Sequence, residues 1–463
     1  MKKLLLILLC LPMIGFGQQT YVPDDNFEQA LINLGYDNLL DDSVLTEIID
    51  TLTYLDISYQ SISDLTGIED FLALDTLNCT EVLCDSIDLS NNLDLISFSC
   101  ANSGAGGNGP VVHLNISQNV GLTILYCSGN ILTTLDVSNN TALISLVCYS
   151  NQLTSLNVSN NTALTNLQCG GQPLTSLDVS QNTALTNLDC RNNQLASLDV
   201  SQNTALAYLR CHQNQLTSLD VSNNTALVWL WSSNNDLTSL NLDNNLLLND
   251  LYCRNNKLTS LDVSNNIDLH VLAFSYNDMT LTTVDVRNGN NSNIIYFDAI
   301  SNPYLNCINV DDVAWADTNW TVANSNIDST MSFSTNCATA FGCTDSSACN
   351  YDALATIDDS SCIWGPSSSS YDTLSVTTSV YTWNSITIIT SGDYSDTLIN
   401  SAGCDSIANL NLTITIPSGI FNISNTKRTL LKITDILGQE TPYRRNQPLF
   451  YIYDDGTVEK RIV

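Results

Sequence analysis

A 21-residue period constrains this chain more than any other feature. The unit at residues 185–205, LTNLDCRNNQLASLDVSQNTA, recurs with few breaks from about Leu122 to Leu272. Each unit has two halves: Leu185, Leu188, Cys190 and Asn193 fit LxxLxCxxN, and Leu195, Leu198, Val200 and Asn203 fit LxxLxVxxN. Both halves read as short strands with Leu, Val or Cys turned inward, each followed by an Asn-mediated turn. One unit cannot bury its apolar edge alone, so successive coils stack in register and add one strand to each of two parallel sheets at about 4.8 Å per coil.

Two asparagine columns support the stack, one at Asn140, Asn161, Asn182, Asn203, Asn224, Asn245 and Asn266, the other at Asn130, Asn151, Asn193, Asn214, Asn235, Asn256 and Asn277. A buried amide there can bond turn backbone groups of neighbouring coils that would otherwise be unsatisfied. The pattern resembles leucine-rich repeats, specifically the 21-residue bacterial subclass called IRREKO, with consensus LxxLxCxxNxLxxLDLxxN, over about residues 50–305. The fold class expected is mainly β: a leucine-rich-repeat solenoid of stacked parallel β coils with a short N-terminal helical cap, followed by small β-rich C-terminal modules. The resemblance implies a surface that binds other macromolecules and says little more about function.

Eight cysteines, Cys79, Cys100, Cys127, Cys148, Cys169, Cys190, Cys211 and Cys253, occupy one inward column. Ser232 and Phe274 replace cysteine in it without breaking the period, so the site asks for little more than a side chain that fits. Parallel Cβ atoms about 4.8 Å apart exceed the usual disulfide separation of about 3.8 Å, so buried free thiols are expected.

Both ends of an open stack need covers. At residues 18–50, VPDDNFEQALINLG places Asp24, Asp25 or Asn26 as a helix N-cap before an apolar face of Phe27, Ala30, Leu31 and Leu34. After the solenoid (51–305), residues 306–340 form the second cap, where Cys307 with Cys337 would close a loop over the last coil. Residues 341–363 gather Cys343, Cys349 and Cys362 among Asp345, Asn350, Asp352, Asp358 and Asp359. They resemble a short module recurrent in secreted Bacteroidetes-type proteins. Ca²⁺ would suit its oxygens, though EF-hand spacing is absent. Residues 364–417 read as a β-rich spacer in which Cys404 has no obvious mate, and they look like repeats of surface adhesins of gliding bacteria.

The start, MKKLLLILLCLPMIGFGQQT, reads as an export signal cleaved after residue 17, with an apolar stretch too short to anchor in a bilayer. Residues 418–463, with Leu431 to Gly438, Gln439, Glu440, Leu449 to Asp455, Gly456 and the basic end Lys460 and Arg461, resemble the type A C-terminal sorting signal of the type IX secretion system. That resemblance implies delivery to the outer cell surface or the medium, with the type IX machinery as a partner.

Charge narrows the partners. Residues 18–426 carry 5 basic against 42 acidic side chains, a surface that repels phosphate backbones, so nucleic acid is excluded. No membrane span is expected. His113, His212 and His270 are scattered, and no GxSxG, HExxH or Walker loop occurs, so the chain reads as a non-enzyme without a required cofactor. A polysaccharide-degrading enzyme would have to use carboxylates alone, with Asp189 and Asp250 read as exposed on one half-repeat. An outward Asp column, Asp136, Asp178, Asp199, Asp220 and Asp262, with Asn157 and Asn241 interspersed, is either a solvated face or a ladder for cations such as Ca²⁺.

The cysteine half-repeat is where the outward positions vary, and variation on a regular scaffold encodes recognition. Consecutive coils there present Tyr208 and Arg210, Trp229 and Trp231, then Asp250 and Tyr252, while Tyr149, Arg191, His212 and Arg254 follow the cysteine column. Period-two geometry puts both tryptophans on one side with aromatic neighbours one coil away. Such a strip suits a protein or glycan ligand. The alternatives are that these side chains only cover the sheet, or that the protein is a structural or calcium-stabilised surface component with no discrete site.

Overall fold

The computed structural model describes residues 17–462 except 103–108, 278–279, 340, 354, 356, 359, 365–368, 400–404, 416–427, 435–438 and 442–447. The export signal, but for Gly17, and Cys404 and Asp359 lie outside the described residues. The chain divides into two compact units, residues 1–344 with 353–359, and residues 345–352 with 360–463.

The first unit is the solenoid. Twelve three-residue strands, from Tyr54–Asp56 to Tyr296–Asp298, form one parallel sheet. Each pairs with the equivalent residues one coil away, as in Leu167 with Leu188 and Leu188 with Leu209. The central Leu of each strand is fully buried, and the Leu, Val and Cys columns merge into a single continuous core.

The expected second continuous sheet does not form. Among the described residues, the LDV halves make ladders only between Ser86–Asp88 and His113–Asn115, and across Ser260–Asp262, Thr283–Asp285, Cys307–Asn309 and Ser332–Ser334. In the central coils these halves are turns: the outward Asp accepts the N–H of the serine two residues on, as Ser201 N donates to Asp199 Oδ1 at 2.9 Å, a bond also made where ladders form, as from Ser264 N to Asp262 Oδ1. Bonds such as Gln215 N to the Leu195 carbonyl (2.9 Å) then tie these halves together.

The asparagine columns are buried, apart from the half-buried Asn214, and do the remaining bonding. Asn203 Nδ2 donates to the carbonyls of Val179 (3.1 Å) and Asn182 (2.9 Å) in the preceding coil. In the other column Asn193 Nδ2 donates to Cys169 and Cys190 carbonyls, while its Oδ1 accepts from Leu174 N at 3.2 Å. Gln172 fills that role where the column lacks Asn, with Nε2 on the Cys148 carbonyl and Oε1 accepting from Leu153 N. One residue per coil is left-handed, at Gly129, Ser150, Gly171, Asn192, Gln213, Asn234, Asn255 and Tyr276. Gly and Asn at five of these positions are the types that tolerate positive φ.

The cysteine column holds free, buried thiols. Burial pushes Cys148, Cys211 and Cys253 up to about 12, and the others of the column well above the ordinary thiol range.

Both covers are present. The helix Asp25–Leu34 starts at Asp24, whose Oδ1 accepts from Asn26 N and Phe27 N, and ends at Gly35 with φ 81°. Phe27, Ala30 and Leu31 are buried, but Leu34 is 44% exposed, because its position in the last turn points away from the stack. Asp24 Oδ2 also accepts from Ser63 N, Ser63 Oγ and Asp64 N, tying the helix to the first coil. At the other end Cys307 and Cys337 are disulfide-bonded, and the helix Val313–Asn319 leads to Trp320, which stacks on Phe297 at 3.9 Å.

The second unit is small and β-rich. Ser369–Val376, Asp405–Ile414 and Gly392–Ile399 form one sheet over Ile388, Leu410 and Leu412, and Leu430–Thr434, Pro448–Tyr453 and Val458–Ile462 form an antiparallel three-stranded sheet. Cys349 and Cys362 of this unit are in disulfides, as is Cys343 of the first unit.

Candidate functional site

Because every coil repeats the same strand, the first and third residues of each strand point outward and line up with their counterparts. Register pairs Tyr208 with Trp229, Arg210 with Trp231, Trp229 with Asp250, and Trp231 with Tyr252. Tyr208 meets Trp229 edge-on at 5.6 Å, and Trp231 meets Tyr252 edge-on at 5.0 Å. The two indoles lie 6.3 Å apart with planes 6° from parallel. The strip the period implied is therefore contiguous. Tyr208 is 40% exposed, while the two tryptophans and Tyr252 are half-buried.

The cations take three different roles. Arg210 lies 5.6 Å from the Trp229 ring centre and 5.5 Å from that of Trp231, capping both indoles. Arg254 lies 5.8 Å from the Tyr252 ring, bonds the Tyr296 hydroxyl and is paired with Asp298 at 2.7 Å; Ser275 Oγ donates to the same Asp298 oxygen at 2.7 Å. It braces the strip. Arg191 stands apart, with its Nε 3.5 Å from Asp189, beside a cavity of about 250 Å³ lined by Tyr149, Gly170, Gly171 and His212. His212 joins the strip edge-on to Trp231 at 5.5 Å; burial holds its pKa below the usual imidazole range.

Tyr296 and Asp298 extend this face, and sequence reasoning passed over them. The coil from Val271 to Tyr296 is 25 residues long against 21 from Asp250 to Val271, so the period breaks just before them. Their register with Val271 and Ala273 restores the column.

The carboxylates read as an enzyme's alternative pair are not arranged as one. Asp189 is buried, not exposed, because Arg191 folds back on it through both its backbone N–H and its guanidinium. It lies three strands across and two residues along from Asp250, roughly 16 Å at about 4.8 Å per strand and about 3.3 Å per residue, beyond the separation of about 5–9.5 Å that glycoside hydrolysis uses.

The outward column Asp136, Asp178, Asp199, Asp220 and Asp262 caps turns: each accepts from the N–H of Ser138, Ser180, Ser201, Ser222 or Ser264 at 2.9 Å. Asn157 and Asn241 make the same bond, so the geometry needs an oxygen and no charge. Hydrogen bonds from the serines hold Asp136, Asp178, Asp199 and Asp220 below the usual carboxylate range. Among the described residues no group of three His, Cys, Asp or Glu side chains is placed to hold a metal ion.

These coils, with one continuous ladder, Asn columns inside and capped ends, define a leucine-rich-repeat solenoid. No family model matches the chain, and no curated protein sequence matches it. Among solved structures it is similar to the internalin InlF of Listeria monocytogenes, at 20% identity over 68% of this chain and 95% of that one, with a TM-score of 0.52. It is also similar to the functional domain of InlJ from Listeria monocytogenes, described as including a cysteine ladder, at 22% identity over 96% and 97% of the two chains, TM-score 0.49. A third similarity is to the leucine-rich-repeat protein LIC12759 of Leptospira interrogans, at 21% identity over 57% and 74%, TM-score 0.44.

Proposed function

We propose that this chain is a recognition protein that binds a protein partner through the strip Tyr208, Trp229, Trp231 and Tyr252. The observation that supports it is the placement of four aromatic rings, in contiguous edge-on and parallel contact across three adjacent strands, on the outward side of a rigid sheet. Large rings held by a regular scaffold bind at little cost in conformational entropy. A protein is favoured over a glycan because the Arg210 guanidinium caps both indoles, covering faces a sugar ring would stack on and offering a donor fork for side chains or backbone.

The test is selection of a displayed random-peptide library on the full chain, with the Trp229→Ala/Trp231→Ala double variant as counter-sample. Peptides retained by the native chain and lost on the variant are the expected result. Indole-dependent signal on a glycan array without peptide enrichment would replace the protein partner with a glycan.

Export and surface delivery belong to the same proposal. The Cys307–Cys337 disulfide, with Cys343, Cys349 and Cys362 also oxidised, supports an oxidising compartment. Among the described residues no helix is long and apolar enough to cross a membrane. Residues 418–463 act in this reading as a type IX sorting signal. Deleting them should strand the protein inside the outer membrane, and unchanged surface or medium levels on cell fractionation would refute that role.

A further inference from the structure

The charges on the aromatic strip leave two unmatched. Arg254 is paired with Asp298, and Arg191 with Asp189. Among the described residues, neither Arg210 nor Asp250 has an oppositely charged side chain in ion-pair contact. Asp189, the register neighbour of Arg210, is held by Arg191, and Arg210 turns to the indoles instead. Asp250 is the register neighbour of Trp229 on the far strand, where burial raises its pKa and the field of His270 partly offsets that. The strip thus carries one free cation and one free anion, with Trp229 and Trp231 between them.

Their spacing is fixed by the sheet. Arg210 and Asp250 are two strands apart, about 10 Å at about 4.8 Å each, and two residues apart along the strand direction, about 6.6 Å. The diagonal is roughly 12 Å, which an extended chain covers in three to four residues at about 3.3 Å each. The background matters as well: with 42 acidic against 5 basic side chains over residues 18–426, a purely acidic segment is repelled at long range, whereas one that also carries a cation is not.

Resting on the recognition reading above, we infer that the partner is an extended peptide segment lying across these strands. It sets a carboxylate on Arg210 and, three or four residues away, a lysine or arginine at Asp250, with an apolar or aromatic side chain over the indoles between them. The guanidinium offers a bidentate site for the carboxylate, and the half-buried Asp250 gains a counter-ion it lacks in the free protein.

The same displayed library tests this. Peptides enriched on the native chain should carry an acidic and a basic residue three or four positions apart, flanking an apolar or aromatic one. Arg210→Ala should erase only the acidic preference and Asp250→Asn only the basic one, each weakening a selected peptide by about ten-fold or more. The exchanged variant Arg210→Asp/Asp250→Arg should select the two charges in reversed order, which a variant that had merely lost structure cannot do. Indole-dependent enrichment without a charge pair, or an acidic preference that survives Arg210→Ala, overturns this inference and leaves the recognition reading standing. No enrichment beyond the Trp229→Ala/Trp231→Ala variant overturns both.

Discussion

Replacing Asn203 by Ala removes one rung of the buried amide column in the middle of the stack. Its Nδ2 makes two bonds, to the carbonyls of Val179 and Asn182, and its Oδ1 makes none. Both carbonyls keep a second partner, since Asn182 N donates to Val179 O (3.0 Å) and Leu185 N to Asn182 O (3.1 Å). Neither acceptor is orphaned, so each lost bond costs its ordinary net contribution of about 1 kcal/mol rather than the penalty of a buried unpaired group. The space vacated by the carboxamide adds to this, and the total is about 2–3 kcal/mol. Urea unfolding followed by far-ultraviolet circular dichroism reads the loss, with Gln202→Ala in the adjacent exposed turn as control, expected within about 0.5 kcal/mol of the native chain. Asn203→Asp should cost more near neutral pH, because a carboxylate would face two carbonyl oxygens. Its folded-state pKa is then raised, so the penalty shrinks as pH falls through that value. If Asn203→Ala proves no worse than Gln202→Ala, the amide column does not hold the coils together.

Three further outcomes follow from the same geometry. The nine buried free thiols among the described residues should stay unmodified by a thiol-alkylating reagent in the native chain and react on unfolding, as read by mass spectrometry; fast native labelling of Cys148 or Cys211 would contradict their burial. Asp24→Ala should cost several kcal/mol, since one carboxylate serves two helix N–H groups and three donors of Ser63 and Asp64. Burial raises the Asp24 pKa, but its hydrogen bonds outweigh that and lower it overall, so its contribution is present above its ordinary value of 3.8 and lost as pH falls through the lower folded value. Asp199→Asn should leave the thermal midpoint unchanged with or without a calcium chelator, because Asn157 and Asn241 already make that turn bond; a drop seen only with calcium present would establish a cation ladder.

Much of the fold was legible because one period fixes both chemistry and position: Leu185, Leu188, Cys190 and Asn193 declare strand, core and turn in nine letters, and repetition places them in register. The same logic brought Tyr208, Trp229, Trp231 and Tyr252 together. The second sheet was misread because LDV has strand composition, yet in the central coils these halves run into turns and meet the next coil through isolated bonds such as Gln215 N to the Leu195 carbonyl. Glu28 escaped notice entirely. It is buried and accepts from Asp41 N, Asp42 N and Ser43 N, partners in a loop that no local pattern connects to the helix. Tyr296 and Asp298 were hidden by a coil of altered length, and the commitment of Arg254 to Asp298 with them.

Oxidative footprinting of the intact chain tests the central claim most directly, that stacking in 21-residue register builds an aromatic strip open to a partner. Tyr208, Trp229 and Trp231 should be modified readily, whereas Trp320, 3% exposed beneath the C-terminal cover, should lag far behind. Protection of Trp229 and Trp231 equal to that of Trp320 would contradict the account.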